Sequence, residues 1–455
     1  MLWGYKRYFI VIVDGLLILI STQLAVWVRF GQLMDWMSIY KDAVIISSFM
    51  YITILYIFDM YNIERIKNVP DMMIRIASSF ILSGILLTFF FYFFPGGSFG
   101  LWVFFIQLFV SLLLISAWRF LFSKLYRYNI TKQKLLIIGA GKCARYLMDA
   151  LDSDMSEYEI IGMLDDDPQK QGRQIGSSKV VGYLFQFNDI IDKIGHCTTV
   201  IAITNDRKYP MIRDILRARI KGVTVMEMPN LFELITGRIP VKHIHDGWLL
   251  FSDGFSLLNK EFIQRIKRLI DVVLSVFLTA IFSPILLISA LLIKLESKGP
   301  VLFVQKRAGK DENDFDLIKL RSMYENAEMN GPVWADQTDS RVTKVGRWIR
   351  WFRIDELPQL WNILRGEMSF IGPRPERPEF IGMLEKQIPY YYLRHAVKPG
   401  LTGWAQVNYP YGASSGDAEI KLEYDLYYIK NMSLFLDFKI FLKTIGVVLF
   451  LQGSR

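Results

Sequence analysis

Asp355 and Glu356 stand side by side in Arg353-Ile354-Asp355-Glu356-Leu357-Pro358-Gln359, at the end of the most basic stretch of the chain. Between Arg341 and Arg353 there are five basic residues (Arg341, Lys344, Arg347, Arg350, Arg353) and no acid, and Pro373-Arg374-Pro375 follows downstream. Phosphate oxygens call for such counter-charges, and a planar guanidinium meets them with two parallel donors. Pro358 suits the first turn of a helix, which predicts that the two acids lie at or just before a helix N-terminus, where free N–H groups and the dipole favour an anion. Adjacent carboxylates also suit Mg2+, which takes one or two carboxylates together with substrate phosphates. On the residues alone two readings stand. Either one acid holds a metal while the other attacks phosphorus, or Asp355 caps the helix and Glu356 complements its dipole. Lys319 and Arg321 end an apolar strand-like run with alternate cations on one face; they hold a diphosphate or line a solvated edge.

These residues must be positioned at a membrane. The 455 residues are 52% hydrophobic and 15% aromatic, too apolar for a soluble enzyme, while 21% charged residues exclude a wholly intramembrane chain. Four apolar runs fill the first quarter, at 8–28, 43–58, 76–94 and 99–118. A crossing helix needs roughly 20 residues, so a bundle of four transmembrane helices is expected over 1–128. The first run is read as a span, not a cleaved signal, and its Asp14 is either a functional intramembrane acid or one that is solvated or paired. Lys6, Arg7, Arg65, Lys67, Arg75, Arg119, Lys124, Arg127, Lys132 and Lys134 flank the runs on one side, against Arg29 and Lys41 on the other. The positive-inside rule then puts everything after the fourth span in the cytoplasm.

A fifth run, 269–293, has basic residues at both ends (Arg265, Lys267, Arg268; Lys294, Lys298, Lys306, Arg307) and Ser283-Pro284 in its middle. Proline removes a backbone donor, and each half would reach only about 18–21 Å against a hydrocarbon core of about 30 Å. A re-entrant helix-break-helix over 265–295 is expected, with a kinked transmembrane helix as the alternative.

Between the bundle and this run, Leu135-Leu136-Ile137-Ile138-Gly139-Ala140-Gly141-Lys142-Cys143-Ala144 reads as a buried strand, a glycine turn and a helix start. With strands near 159–164, 199–203 and 223–226 and a helix over 209–220, it predicts a Rossmann-like α/β domain over 129–255. In such a unit Gly139 and Gly141 let the backbone approach a pyrophosphate, and Asp165 would hold a ribose. A tight strand-to-helix turn needs those glycines with or without a ligand, so NAD or another nucleotide here stays open beside a vacant regulatory or structural fold. No tyrosine of the domain is followed by lysine four residues on, which argues against hydride chemistry.

The net charge of +9 fits positive-inside loops and anionic lipid, and no nucleic-acid partner is expected. Cys143 and Cys197 are too far apart for a disulfide framework, and the four histidines lack metal-ligand spacing. His243-Ile244-His245 reads as one face of a strand.

From 262 onward the motifs Phe262-Ile263-Gln264-Arg265-Ile266-Lys267-Arg268-Leu269-Ile270-Asp271, Ser283-Pro284, Gly299-Pro300-Val301-Leu302-Phe303, Lys319-Leu320-Arg321-Ser322-Met323, Asp355-Glu356-Leu357-Pro358-Gln359, Gly372-Pro373-Arg374-Pro375 and Lys398-Pro399-Gly400-Leu401-Thr402-Gly403-Trp404 occur in one order over nearly 200 residues. Together they resemble the bacterial monotopic phosphoglycosyl transferases, in their large polyprenyl glycosylphosphotransferase subgroup, exopolysaccharide-associated members included. The resemblance implies a mainly α monotopic catalytic domain over 256–455. It also implies transfer of a sugar phosphate from a UDP-sugar to polyprenyl phosphate with release of UMP, at the cytoplasmic face of a bacterial inner membrane. It makes Asp355 the nucleophile and Glu356 a Mg2+ ligand, with Asp425 in Glu423-Tyr424-Asp425 a further metal acid. Arg374, between Pro373 and Pro375, would bind the nucleotide diphosphate, with Lys319, Arg321 and Arg353 on the substrate side. A homodimer is expected. The sugar leaves no readable motif. The non-enzymatic alternative is a membrane scaffold that senses nucleotides through the middle domain.

Overall fold

A computed structural model describes residues 2–32, 35–58, 60–61, 69–94, 99–128, 132–151, 158–195, 197–203, 209–255, 261–324, 341–409, 412 and 414–449. The chain separates into two compact units, Met1–Thr131 and Lys132–Arg455. Four long helices build the first: α1 (Leu2–Phe30), α2 (Trp36–Ile57), α3 (Val69–Phe93) and α4 (Leu101–Tyr128). Each is long and apolar enough to cross a membrane. Large apolar side chains such as Phe49, Ile81, Phe89 and Phe109 face outward, as a lipid-facing surface requires, while polar groups pair inside: the Tyr51 hydroxyl donates to Gln107 Oε1 at 2.9 Å.

Asp14 is paired within this bundle. Arg119 Nη2 donates to Asp14 Oδ2 at 2.6 Å, and Arg119 Nη1 donates to the Met60 carbonyl at 2.7 Å. The guanidinium also lies 5.0 Å from the centre of the Tyr61 ring. Arg119, counted in sequence among the flanking charges, is fully buried. Arg65, Lys67 and the turn at 95–98 lie outside the described residues.

In the second unit, strands β1 (Gln133–Ile138), β2 (Tyr158–Leu164), β3 (Gln174–Ile175), β4 (Ser178–Gly182), β5 (Thr198–Ile201) and β6 (Thr224–Glu227) form one sheet in the order β3-β4-β2-β1-β5-β6. All pairings are parallel except β3 with β4. The run Leu135-Leu136-Ile137-Ile138 is wholly buried, because alternate residues meet helices on opposite faces. Leu135 and Ile137 pack with α5 (Lys142–Leu151) and, through Leu231 and Phe232, α8 (Met228–Thr236). Leu136 and Ile138 pack with α6 (Phe187–Ile194) and α7 (Tyr209–Ile220). The doubly wound reading thus holds; the β3–β4 hairpin is an addition too short to have shown a period. His243-Ile244-His245 is not a strand: a 3-10 turn covers Val241–His243, and His245 caps α9 (Asp246–Phe251), accepting from Trp248 N at 3.1 Å.

The remaining elements are α10 (Glu261–Glu296), the antiparallel hairpin β7 (Leu302–Ala308) and β8 (Asp314–Leu320), α11 (Lys344–Trp351), α12 (Gln359–Arg365), β9 (Ser369–Ile371), α13 (Pro378–Gln387), β10 (Gly400–Thr402), α14 (Trp404–Asn408), α15 (Ser415–Lys430) and α16 (Leu434–Leu449). Their core, with Leu360, Ile363, Leu422 and Leu426, takes in Ile239, Val241 and Trp248 from the α/β segment. Across that junction the Tyr146 hydroxyl donates to Glu423 at 2.9 Å, and Lys430 pairs with Glu233 at 2.6 Å.

α10 runs unbroken through Pro284, where the sequence predicts a break. Pro284 cannot donate to Ala280, its partner four residues back, but the Ser283 hydroxyl donates to that same carbonyl at 2.8 Å. The Ser-Pro pair supplies its own replacement bond, so the helix continues.

Asp14→Asn should strand the buried Arg119 charge and lower the stability of the first unit by about 3 kcal/mol. Thermal unfolding of the detergent-purified chain would show the loss, and the double change Asp14→Leu, Arg119→Met should recover most of it.

Candidate active site

The acid pair lies in a 3-10 turn, Ile354–Glu356, between α11 and α12, just before the helix as its sequence predicts. Two neighbours fix that turn. Glu296, the last residue of α10, accepts from Lys344 N at 2.8 Å and Val345 N at 3.0 Å, capping α11. Gly346 lets the helix pack on the chain after β8, since a Cβ there would come 1.9 Å from the Ser322 carbonyl oxygen. Ile293, Leu320 and Ile349 are buried together with Ile354 against them. Arg353, with φ of 54°, takes the left-handed conformation that an L-residue adopts at a cost of about 1 kcal/mol, and so turns the chain from α11 into the acid pair.

On the other side, Asn362 of α12 ties that helix to β8: its Oδ1 accepts from Ile318 N at 3.1 Å and its Nδ2 donates to the Asp316 carbonyl at 2.7 Å. The next residue on β8, Lys319, has its ammonium 5.0 Å from the centre of the Phe303 ring. Burial and then Arg307 pull its pKa down to about 8, against the attraction of Asp355 and Glu356.

Arg374 completes the group. Its Nη2 donates to Glu356 Oε1 at 2.8 Å, while Arg353 Nη1 stands 3.8 Å from Glu356 Oε2. Pro373 and Pro375 are buried and Arg374 is exposed between them, because the turn is held by its carbonyls. Pro373 O accepts from Gly400 N at 2.8 Å, Arg374 O from Arg394 Nη2 at 3.0 Å, and Pro375 O from Arg307 Nη1 at 3.1 Å. The prolines contribute fixed backbone, and the arginine between them contributes the charge.

The two acids are electrostatically unlike. Burial, and then the neighbouring Glu356 charge, hold the Asp355 carboxyl above the usual carboxylate range, against Lys319, Arg350 and Arg374. Burial pushes Glu356 the same way, but Arg374 and Arg353 overcome it and hold Glu356 below its ordinary value. One carboxylate is thus held ionised by arginines, while the other takes up a proton more readily than an ordinary carboxylate.

Two of the expected site residues are engaged elsewhere. Arg321 is buried and donates to the Lys298 carbonyl at 2.8 Å and the Ser297 carbonyl at 2.9 Å, so it fastens the end of α10 and does not share a cationic face with Lys319. Asp425 is buried and pairs with Arg394 at 3.0 Å, with burial raising its carboxyl to about 6 against the pull of Arg394. Since Arg394 also holds the Arg374 carbonyl, Asp425 sits behind Arg374 as support. Arg394, Arg307, Asn362 and Glu296 carried no signal in the sequence, for each acts through a backbone group of a distant segment.

Among the described residues no three His, Cys, Asp or Glu side chains converge on a metal position. Asp355 and Glu356 supply two carboxylates, a donor set that fits Mg2+ when phosphate oxygens and water complete the shell.

In the α/β segment the glycine turn is present, with Gly139 at φ of 96° and a Cβ there only 2.7 Å from Ile203 Cγ1; around a Cβ on Gly141 there is open space. Asp165 does not stand ready for a ribose. Its Oδ2 accepts from Ala140 N at 2.8 Å and Lys170 Nζ at 3.0 Å, and its Oδ1 from Asp167 N at 2.9 Å. These bonds outweigh burial and hold it below its ordinary pKa.

Comparison with known proteins fits this geometry. Residues 262–451 match the bacterial sugar transferase profile, and 56–216 match a CoA-binding domain. A UDP-glucose:undecaprenyl-phosphate glucose-1-phosphate transferase of Caulobacter vibrioides is 44% identical over 188 residues, 40% of this chain and 69% of that protein. The chain belongs to the bacterial sugar transferase family. Two further relatives are a UDP-N-acetylgalactosamine-undecaprenyl-phosphate N-acetylgalactosaminephosphotransferase of Aeromonas hydrophila, 45% identical over 53% of this chain and 56% of that protein, and an undecaprenyl-phosphate glucose phosphotransferase of Komagataeibacter xylinus, 35% identical over 71% of this chain and 60% of that protein. The chain thus spans a little over half the length of these last two.

Asp425→Asn should loosen Arg394 and with it the Pro-Arg-Pro turn. Calorimetric titration with UDP should show binding about tenfold weaker, the effect of losing one charge-assisted hydrogen bond, while Asp425→Glu retains part of it. A metal-ligand role would instead change the Mg2+ dependence and leave metal-free UDP binding unaltered.

Proposed function

We propose that this chain transfers a sugar 1-phosphate from a UDP-sugar to polyprenyl phosphate at the cytoplasmic face of a bacterial inner membrane, as the first membrane step of exopolysaccharide or other glycoconjugate assembly. The observation that carries the reading is the unequal acid pair: Glu356 neutralised by Arg374 and Arg353, and Asp355 held basic beside Lys319. The names of the relatives support the class of donor and acceptor, and because those names differ in the sugar, the sugar is not assigned.

In the proposed reaction an Asp355 oxygen attacks the sugar-linked phosphorus of the donor, the phosphoanhydride bond breaks, and UMP departs with its electron pair. A phosphosugar-aspartate remains. An oxygen of polyprenyl phosphate then attacks the same phosphorus, forming a polyprenyl diphosphate sugar and returning the Asp355 carboxylate. Arg374 and Lys319 offset charge on the phosphate oxygens as each bond breaks. Mg2+ held by Glu356 would supply further charge neutralisation when bound.

Both ends of α10 are tied to the same body. Near its start, Arg268 Nη2 donates to the Leu364 carbonyl at 2.7 Å and Asp271 accepts from Phe370 N at 3.0 Å; at its end Glu296 caps α11. Its outer face carries exposed Leu269, Val273, Phe277, Ile288 and Leu291. This supports a helix whose two ends stay on one side of the bilayer while its apolar face enters it, with the lipid phosphate and the soluble donor meeting at that side. The exposed Trp348, Trp351 and Phe352 at the end of α11 suit the headgroup layer of the same face.

Product analysis should show UMP; UDP would mean ordinary glycosyl transfer and overturn the mechanism. Asp355→Asn should lower turnover by at least about 10,000-fold and remove the phosphosugar adduct from intact-protein mass spectra. Only the ionised Asp355 attacks and its pKa is raised, so kcat/KM should fall as pH drops through a value above the ordinary carboxylate range. A profile flat to pH 4 would exclude Asp355 as the nucleophile.

A further inference from the structure

On another part of the second unit, a cleft of about 490 Å3 lies between the turn of the β7–β8 hairpin and the end of α12, and Lys306, Lys310, Arg365 and Lys398 line it. None of Asp355, Glu356, Lys319 or Arg374 borders it. Strand alternation explains the separation: Lys306 pairs with Asp316, one residue out of step with Arg307, and so points to the opposite face of the hairpin.

The floor of the cleft is Gly366, which ends α12 with φ of 86°. A Cβ placed there would lie 3.4 Å from Lys398 Nζ and 3.5 Å from Arg268 Nη2, so two cations converge on a space left by a missing side chain. The Arg268 guanidinium is committed to the Ile363 and Leu364 carbonyls and adds positive potential at the floor, so Lys398, which lines the cleft, is the cation that an anion there would meet. Lys398 bears the strain: burial and then Arg268 pull its pKa down, with Asp271 opposing and Lys310 adding to the fall. The acids at the rim do not offset the group from within. Glu367 accepts from Asn362 Nδ2 at 2.6 Å, and Asp314 and Asp316, which also line the cleft, are exposed on the strand.

Depth indicates the source of the anion. Arg268 is the last polar residue before the exposed apolar run of α10, which begins at Leu269. Beside the cleft Trp361 is exposed, with the Arg365 guanidinium 5.5 Å from its ring centre. A cation stacked on an exposed indole at a polar-to-apolar boundary marks the level of lipid phosphates.

We propose that this cleft binds the phosphate group of a membrane lipid, apart from the acid pair, with Lys398, Lys310 and Lys306 as its counter-charges. A phosphate held there fixes the depth at which α10 sits and hence the height of Asp355 over the headgroups. The depth argument rests on the reading above that the apolar face of α10 enters the bilayer, whereas the charge geometry does not.

Native mass spectrometry of the full chain in detergent, titrated with phosphatidylglycerol or polyprenyl phosphate, tests it, with inorganic phosphate as competitor. Lys310→Gln with Lys398→Gln should weaken lipid binding at least about tenfold, as loss of charge-assisted contacts implies, while the arginine pair Lys310→Arg, Lys398→Arg keeps it. If the glutamine pair fails to fold, the exposed pair Lys306→Gln, Lys310→Gln should still lower affinity at least threefold. Loss of phosphatidylglycerol identifies a bilayer lipid, loss of polyprenyl phosphate alone identifies the acceptor, and equally effective displacement of both by millimolar inorganic phosphate identifies a general anion and overturns the lipid assignment. Unchanged affinity for every probe overturns the site. Binding is read without turnover, so an inactive chain and an empty cleft give different results.

Discussion

Two carboxylates next to each other in a partly buried turn repel, and the elements around them in the second unit are arranged around that repulsion. Arg374 resolves it by neutralising Glu356 with a bond of 2.8 Å, which leaves Asp355 as the acid that burial and its neighbour keep basic. Because the contact must be held at fixed length to divide the roles of two adjacent residues, the backbone behind Arg374 is braced at three successive carbonyls by Gly400, Arg394 and Arg307. The brace reaches α15 through Asp425 and the hairpin through Arg307. Buried charges such as Asp425 and Arg394 are costly singly and tolerable as a pair, so their presence in the core reflects the demand for position at the surface.

The same body holds α10 at both ends. Arg268 binds carbonyls at the end of α12, and Arg321 binds carbonyls just past the end of α10. An apolar helix is thereby anchored to the elements that carry Asp355 and Lys319, and any depth it takes in a bilayer sets the height of the acid pair. The α/β segment joins through α15, where Tyr146 of α5 meets Glu423 two residues before Asp425. The glycine turn and the arginine brace therefore lie at opposite ends of a short chain of contacts.

Where the sequence reading departs from the structure, the departures share a cause. Arg321 and Asp425 have the right residue type and sit in the right motif, yet each is turned into the protein by a partner far away in the chain: the carbonyls of Ser297 and Lys298 for one, Arg394 for the other. Asp165 likewise closes on its own glycine turn. The predicted break at Ser283-Pro284 fails for a local reason, since the serine hydroxyl replaces the bond that the proline removes. Residue type limits what a side chain can do, and burial and partner decide whether it is available.

Much of the architecture was already settled by the order of the residues. Long apolar runs make helices of membrane length whatever their neighbours, a run such as Leu135-Leu136-Ile137-Ile138 before Gly139 makes a buried parallel strand, and Asp355-Glu356 before Pro358 makes an acid pair ahead of a helix. These features follow from local sterics and from the removal of apolar surface from water, which sequence expresses directly. Which acid is held below its ordinary pKa and which above it, which arginine pairs with Glu356 and which ties a helix end, and which lysine and arginine meet at Gly366 were decided by the tertiary structure. Charge depends on distance and on exclusion of water, and both are set by segments that meet only when the chain has folded.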